Sequence, residues 1–220
     1  MRNLWKWWLG SAALLTFVYL VVPQTAETKL VLYNGTGLLS VVAILVGVRV
    51  NRPQHRSPWL FFAAGLSSFL IADICYYVLE LVAGEEGPAF PSIADFFYLC
   101  MYPLVIVGLV RMLRRVAPGR DYASLIDAAV VGISIFGTVW VVWVDDVVDA
   151  PFDSVAGLIT QVAYPVMDVA LFTVAARLVV GLHLRHRPLA FMVGALGSLA
   201  IADTAYGFYN TQGTFETGSY

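Results

Sequence analysis

Long unbroken apolar blocks constrain this chain more than any other feature. Seven of them can be drawn: Trp5–Val22, Leu30–Val50, Trp59–Ala83, Ile93–Leu113, Ser124–Val144, Val155–Leu182 and Leu189–Tyr209. A run of about 20 apolar residues is as long as a bilayer core is thick. Segments immersed in lipid must satisfy their own backbone hydrogen bonds, so each block is expected to be a helix. The alternation that a transmembrane barrel requires is absent. Composition agrees, with 60% hydrophobic residues, 13% charged residues and a mean hydropathy of +0.78. The expected fold class is all-α: a polytopic transmembrane bundle of seven helices with a parallel internal repeat.

Charge segregation sets the expected orientation. With the N-terminus in the cytoplasm, Arg2, Lys6, Arg49, Arg52, Arg56, Arg111, Arg114, Arg115, Arg120, Arg177, Arg185 and Arg187 all fall inside, and Lys29 falls outside. That asymmetry is the positive-inside pattern. Glu85, Glu86, Asp145, Asp146, Asp149 and Asp153 fall in outer loops. The first block follows Arg2 and Lys6 as a signal peptide would. However, it has no obvious cleavage site, and Trp5, Trp7 and Trp8 suit an interfacial belt, so it is read as a retained helix. The basic clusters are short and juxtamembrane, which favours anionic lipid over nucleic acid. The expected location is therefore the cell membrane, multi-pass.

A repeat organises the chain. Pro58, Leu66, Ser68, Asp73 and Tyr76 recur as Pro188, Leu196, Ser198, Asp203 and Tyr206, at a constant offset of 130 residues. The matched helices lie four apart, so both copies cross the membrane in the same sense, which makes the repeat a parallel one. The first copy covers about 30–115 and the second about 160–220. The second copy lacks a counterpart of the helix that begins at Ile93. One transmembrane domain of sensor type over 1–220, continuing beyond it, is therefore expected.

Ile-Ala-Asp occurs three times, each time with a tyrosine three residues after the aspartate: Asp73 with Tyr76, Asp95 with Tyr98, and Asp203 with Tyr206. That spacing puts acid and tyrosine on one helical face. A carboxylate within a span is costly and marks a functional site by default. Tyr164-Pro165 followed by Asp168 adds a fourth acid, and Pro165 frees a carbonyl as broken-helix sites do. Asp73, Asp168 and Asp203 are expected to converge on one outward-facing acidic site, suited to a cation, a proton or a small polar ligand. Bracing is the competing explanation: Asp95 following Ser92 can cap a helix start, and Asp73 or Asp203 can bond a tyrosine on a neighbouring helix. Cys75 and Cys100 fit no redox or metal motif, and no residue set resembles a catalytic centre or a cofactor cradle.

Pro91-Ser92-Ile93-Ala94-Asp95-Phe96-Phe97-Tyr98, then Tyr102-Pro103-Leu104, resembles the signature of actinobacterial multi-helix membrane sensor domains. Leu125-Ile126-Asp127-Ala128-Ala129, Tyr164-Pro165 with Asp168, and Ala202-Asp203 with Tyr206-Gly207 share the resemblance. It implies the N-terminal part of a GGDEF or EAL protein, which makes or degrades cyclic di-GMP, with further helices, a cytoplasmic output domain and a homodimer formed through the full-length protein. No cyclase or phosphodiesterase residue is present to carry over. The expected function is membrane signal input; the alternative is a small transporter of a cation or polar ligand.

Overall fold

In the computed structural model, the described residues are 4–23, 28–84, 88–116 and 154–181, with 126, 130, 132–134, 137, 191–192 and 194–199. Among them every regular element is helical. Helix α1 is Leu4–Val21, a π-helical turn covers Lys29–Tyr33, and α2 continues from it as Asn34–Asn51. Helix α3 is Ser57–Ala83, α4 is Ile93–Val116 and α5 is Val155–Gly181. Four helical stretches are long and apolar enough to cross a membrane: Leu30–Asn51, Ser57–Ala83, Ile93–Arg114 and Val155–Leu178. Of the seven expected blocks, Ser124–Val144 and Leu189–Tyr209 lie largely outside the described residues, and those described within them are helical.

The helix limits follow local chemistry. Helix α3 opens on Ser57-Pro58, where proline's missing N–H is no loss. Helix α2 ends in a left-handed turn at Arg52 (φ 40°, ψ 56°), whose N–H reaches the Val48 carbonyl. Before α5, Ser154 Oγ accepts the Gly157 N–H at 3.1 Å. Two internal prolines, Pro103 and Pro165, leave α4 and α5 continuous. Helix α5 runs on through Pro165 over 27 residues, as the single apolar block predicts, because the cost of one missing hydrogen bond is local.

The chain divides into two compact units, Met1–Gly108 and Leu109–Tyr220. In the first, α2 and α3 pack together and α3 packs on α4. Gly65 and Gly108 allow the α3–α4 approach. A Cβ on Gly65 would stand 2.7 Å from Val105 Cγ2, and one on Gly108 would stand 2.6 Å from Phe62 Cε1. Each helix thus receives a large side chain of the other in a glycine notch. The small core includes Phe62, Ala63, Ala72, Ala94, Met101 and Tyr102. Apolar residues also cover the exterior: Phe17, Val31, Val78, Val82, Phe96 and Ile159 are exposed. Only 17–28% of the central window of each candidate span is buried within the chain. A surface of this kind suits lipid contact rather than water.

The repeat mates Ser68 and Ser198 differ in setting. Ser68 is buried and donates to the Phe97 carbonyl of α4 at 2.7 Å, whereas Ser198 is exposed and donates to Gly194 of its own helix at 3.0 Å.

Candidate functional site

Helices α3 and α4 run antiparallel, and their contacts set the register. Phe62 meets Gly108, Gly65 meets Met101 and Val105, and Ser68 bonds Phe97. Continued about one turn further, this register sets Ala72 opposite Ala94. Both are almost fully buried, at 0% and 1% exposure. The register thus brings two of the three Ile-Ala-Asp copies to one level at their buried alanines, small residues of the kind that suit close helix packing.

The two aspartates then diverge. Asp73 is 6% exposed, and its Oδ1 accepts the Tyr98 hydroxyl at 2.6 Å. The donor belongs to the neighbouring copy of the motif, not to Asp73's own. Asp95 turns back to the start of α4. Its Oδ2 accepts the Ser92 N–H at 2.7 Å and the Ser92 hydroxyl at 3.1 Å. Ser92 Oγ in turn accepts the Ala94 N–H at 3.2 Å. This is a reciprocal capping arrangement, with aspartate in the place glutamate often holds. A carboxylate in the first turn also suits the helix dipole. For Asp95 the bracing alternative describes the geometry.

Tyr76, expected on the Asp73 face, sets its ring edge-on to Tyr77, with centroids 5.9 Å apart. Tyr77 stands 6.2 Å from Tyr33, and Tyr33 stands 6.2 Å from Tyr19, so an aromatic chain links α3, the π turn and α1. Phe69 packs edge-on against Tyr98, with ring centroids 5.2 Å apart. Tyr164 and Asp168 are half-buried on α5, in the second unit. Asp203 and Tyr206 lie outside the described residues. The expected meeting of Asp73, Asp168 and Asp203 therefore rests on positions of which one is not described and one belongs to the other unit.

One polar residue escaped the sequence reading. Asn34, the first residue of α2 after the π turn, is 8% exposed. Its Nδ2 donates to the Leu30 carbonyl at 2.8 Å. Its Oδ1 is buried without a hydrogen-bond partner. The available signal was a single asparagine just inside an apolar block; beside the Asp–Tyr motifs it carried no spacing to single it out.

Chemically, the first unit gathers oxygen acceptors. Asn34, Ser68 and Asp73 are the buried polar residues among those described. No group of three or more His, Cys, Asp or Glu residues able to hold a metal occurs among the described residues. No protein-family model, curated protein or solved structure matches this chain.

Proposed function

We propose that this chain is the membrane-embedded input module of a bacterial signalling protein, with its N-terminus in the cytoplasm and cyclic di-GMP turnover as the output it governs. The observation that carries this reading is the Asp73–Tyr98 hydrogen bond between α3 and α4. A carboxylate inside a span is expensive to keep, and such residues mark functional pathways far more often than chance. Here it joins two adjacent spans by one bond between side chains, an arrangement that a change of ligand or charge can make or break. The likeness of the Pro91–Tyr98 run to actinobacterial sensor domains supplies the output class.

The transport alternative draws on the parallel repeat and the acids within the apolar blocks. The test is made in the native cell, with cyclic di-GMP measured per molecule of this protein. Asp73→Asn keeps the side chain's shape and an acceptor for Tyr98, and removes the charge. It is expected to shift the cyclic di-GMP level while abundance stays near that of the parent. Reduced abundance with unchanged output per molecule would instead assign the pair to bracing alone.

A further inference from the structure

A serine inside a helix commonly directs its hydroxyl to the carbonyl four residues back. Ser11, Ser40, Ser67, Ser134 and Ser198 all do so. Ser68 does not. It is buried, and its Oγ donates at 2.7 Å to the Phe97 carbonyl of α4. The Ala64 carbonyl, four residues back, is the local acceptor that it forgoes.

The residue that Ser68 holds is the neighbour of Tyr98. Helices α3 and α4 are antiparallel, so the direction from Ser68 to Asp73 along α3 is the direction toward the N-terminus of α4. Side chains on a helix lean that way. The Tyr98 side chain accordingly starts at the level of Ser68, sets its ring 5.2 Å from that of Phe69, and donates its hydroxyl to Asp73 Oδ1 at 2.6 Å. From Ser68 to Asp73 is five residues, about 7.5 Å along the axis. Ser68 thus fixes the base of the tyrosine arm, and Asp73 holds its tip. Because the arm runs along the axis, sliding α4 on α3 moves the tip directly. A slip of about 1 Å away from Asp73, less than the rise of one residue, carries the bond out of hydrogen-bond range.

We propose that Ser68 is a positioning residue for the Asp73–Tyr98 pair. Its hydroxyl holds the Phe97 carbonyl and thereby sets the axial position of α4 at which Tyr98 reaches Asp73. Turned back to Ala64, as Ser198 turns to Gly194, the hydroxyl would let α4 go without being left unsatisfied. The cross-helix bond is therefore one that can be exchanged for another rather than simply lost. The spacing of serine and aspartate follows the pairing. Ser68 precedes Asp73 by five residues and Ser198 precedes Asp203 by five, whereas Asp95, which caps its own helix, has Phe90 at that place. This role deepens the sensory reading above, and its effect on output rests on that reading; its geometry does not.

The test uses the whole chain in nanodiscs of zwitterionic lipid, with the phenol C–O stretch of Tyr98 read by infrared spectroscopy. The band is isolated by subtracting the spectrum of the matching Tyr98→Phe variant. Asp73→Leu removes the acceptor and marks where the band lies without the bond. In Ser68→Ala the band is expected to move most of the way to that mark. In Ser68→Thr, which keeps a hydroxyl, it should stay near the parent position. Ser67→Ala removes a hydroxyl that bonds its own helix and should leave the band in place. A band unmoved in Ser68→Ala overturns the proposal, as does an equal shift in Ser67→Ala. Should Ser68→Ala fail to fold, Ser68→Cys, close in size with a weaker donor, decides in its place: a band at the parent position overturns the proposal. In the native cell, cyclic di-GMP output per molecule should shift in Ser68→Ala as it does in Tyr98→Phe, with no further shift in the double variant. A moved band with unaltered output keeps the positioning role and removes the sensory reading. Altered output with an unmoved band does the reverse.

Discussion

Tyr98 and Asp95 lie three residues apart and do different work. Tyr98 donates across to Asp73 of α3, and Asp95 accepts from Ser92 of its own turn. Tyr98→Phe removes the donor and leaves a buried carboxylate uncompensated. A loss of about 0.5–2 kcal/mol is expected, the range found for hydrogen bonds between membrane helices. Equilibrium unfolding in detergent measures it. Asp73→Asn retains an acceptor for the hydroxyl and should cost less than Tyr98→Phe. Asp95→Ala should cost about 1 kcal/mol through the lost cap, with no change in cyclic di-GMP output per molecule; an altered output would return Asp95 to the sensing site. Asp95's role was legible, because Pro91-Ser92 before Ile-Ala-Asp is a helix-start pattern. The partner of Asp73 was not. Spacing pairs Asp73 with Tyr76 on the same helix, and only the register between helices shows that Tyr98 is nearer. The orphan acceptor of Asn34 was hidden for the same reason, since burial of a single amide depends on what packs over it.

The helices themselves were mostly legible, since an apolar run of about 20 residues has few other ways to fold in lipid. Their finer shape was not. The π turn at Lys29–Tyr33 lies inside what reads as one continuous block. Pro165 lies inside one apolar block and α5 continues through it, because proline's cost is local and a long helix retains its other bonds. The glycine notches also escaped the reading, since Gly65 and Gly108 belong to different blocks and only the register between helices pairs each with its partner. Gly108→Ala inserts a methyl group against the Phe62 ring and the Pro58 carbonyl. It should destabilise the α3–α4 pair by about 1–3 kcal/mol through overpacking. Phe62→Leu in the same chain should recover part of that loss. Additive losses in the double variant would show that the ring is not what the methyl meets.

At the scale of the whole chain, the multi-pass character rests on four helices long and apolar enough to span a membrane. Their direction is a separate proposal, drawn from where the basic residues fall along the chain. If the N-terminus is cytoplasmic, cysteines placed at Gln54, Gly119 and His186 should resist an impermeant maleimide in intact cells. Those at Glu85, Asp149 and Gln212 should react. Both sets require a background without Cys75 and Cys100, the two native cysteines. Labelling of Gly119 with protection of Glu85 would reverse the topology.

The two glycine notches give α4 a mechanical character. It is a single rod of 24 residues, about 36 Å long, clamped to α3 near Val105 and Gly108. Tyr98 lies on one side of the clamp and Arg114 on the other. Close packing at the glycines thus fixes the axial position of α4 against α3, so that Tyr98 and Asp73 meet at one register of the two helices.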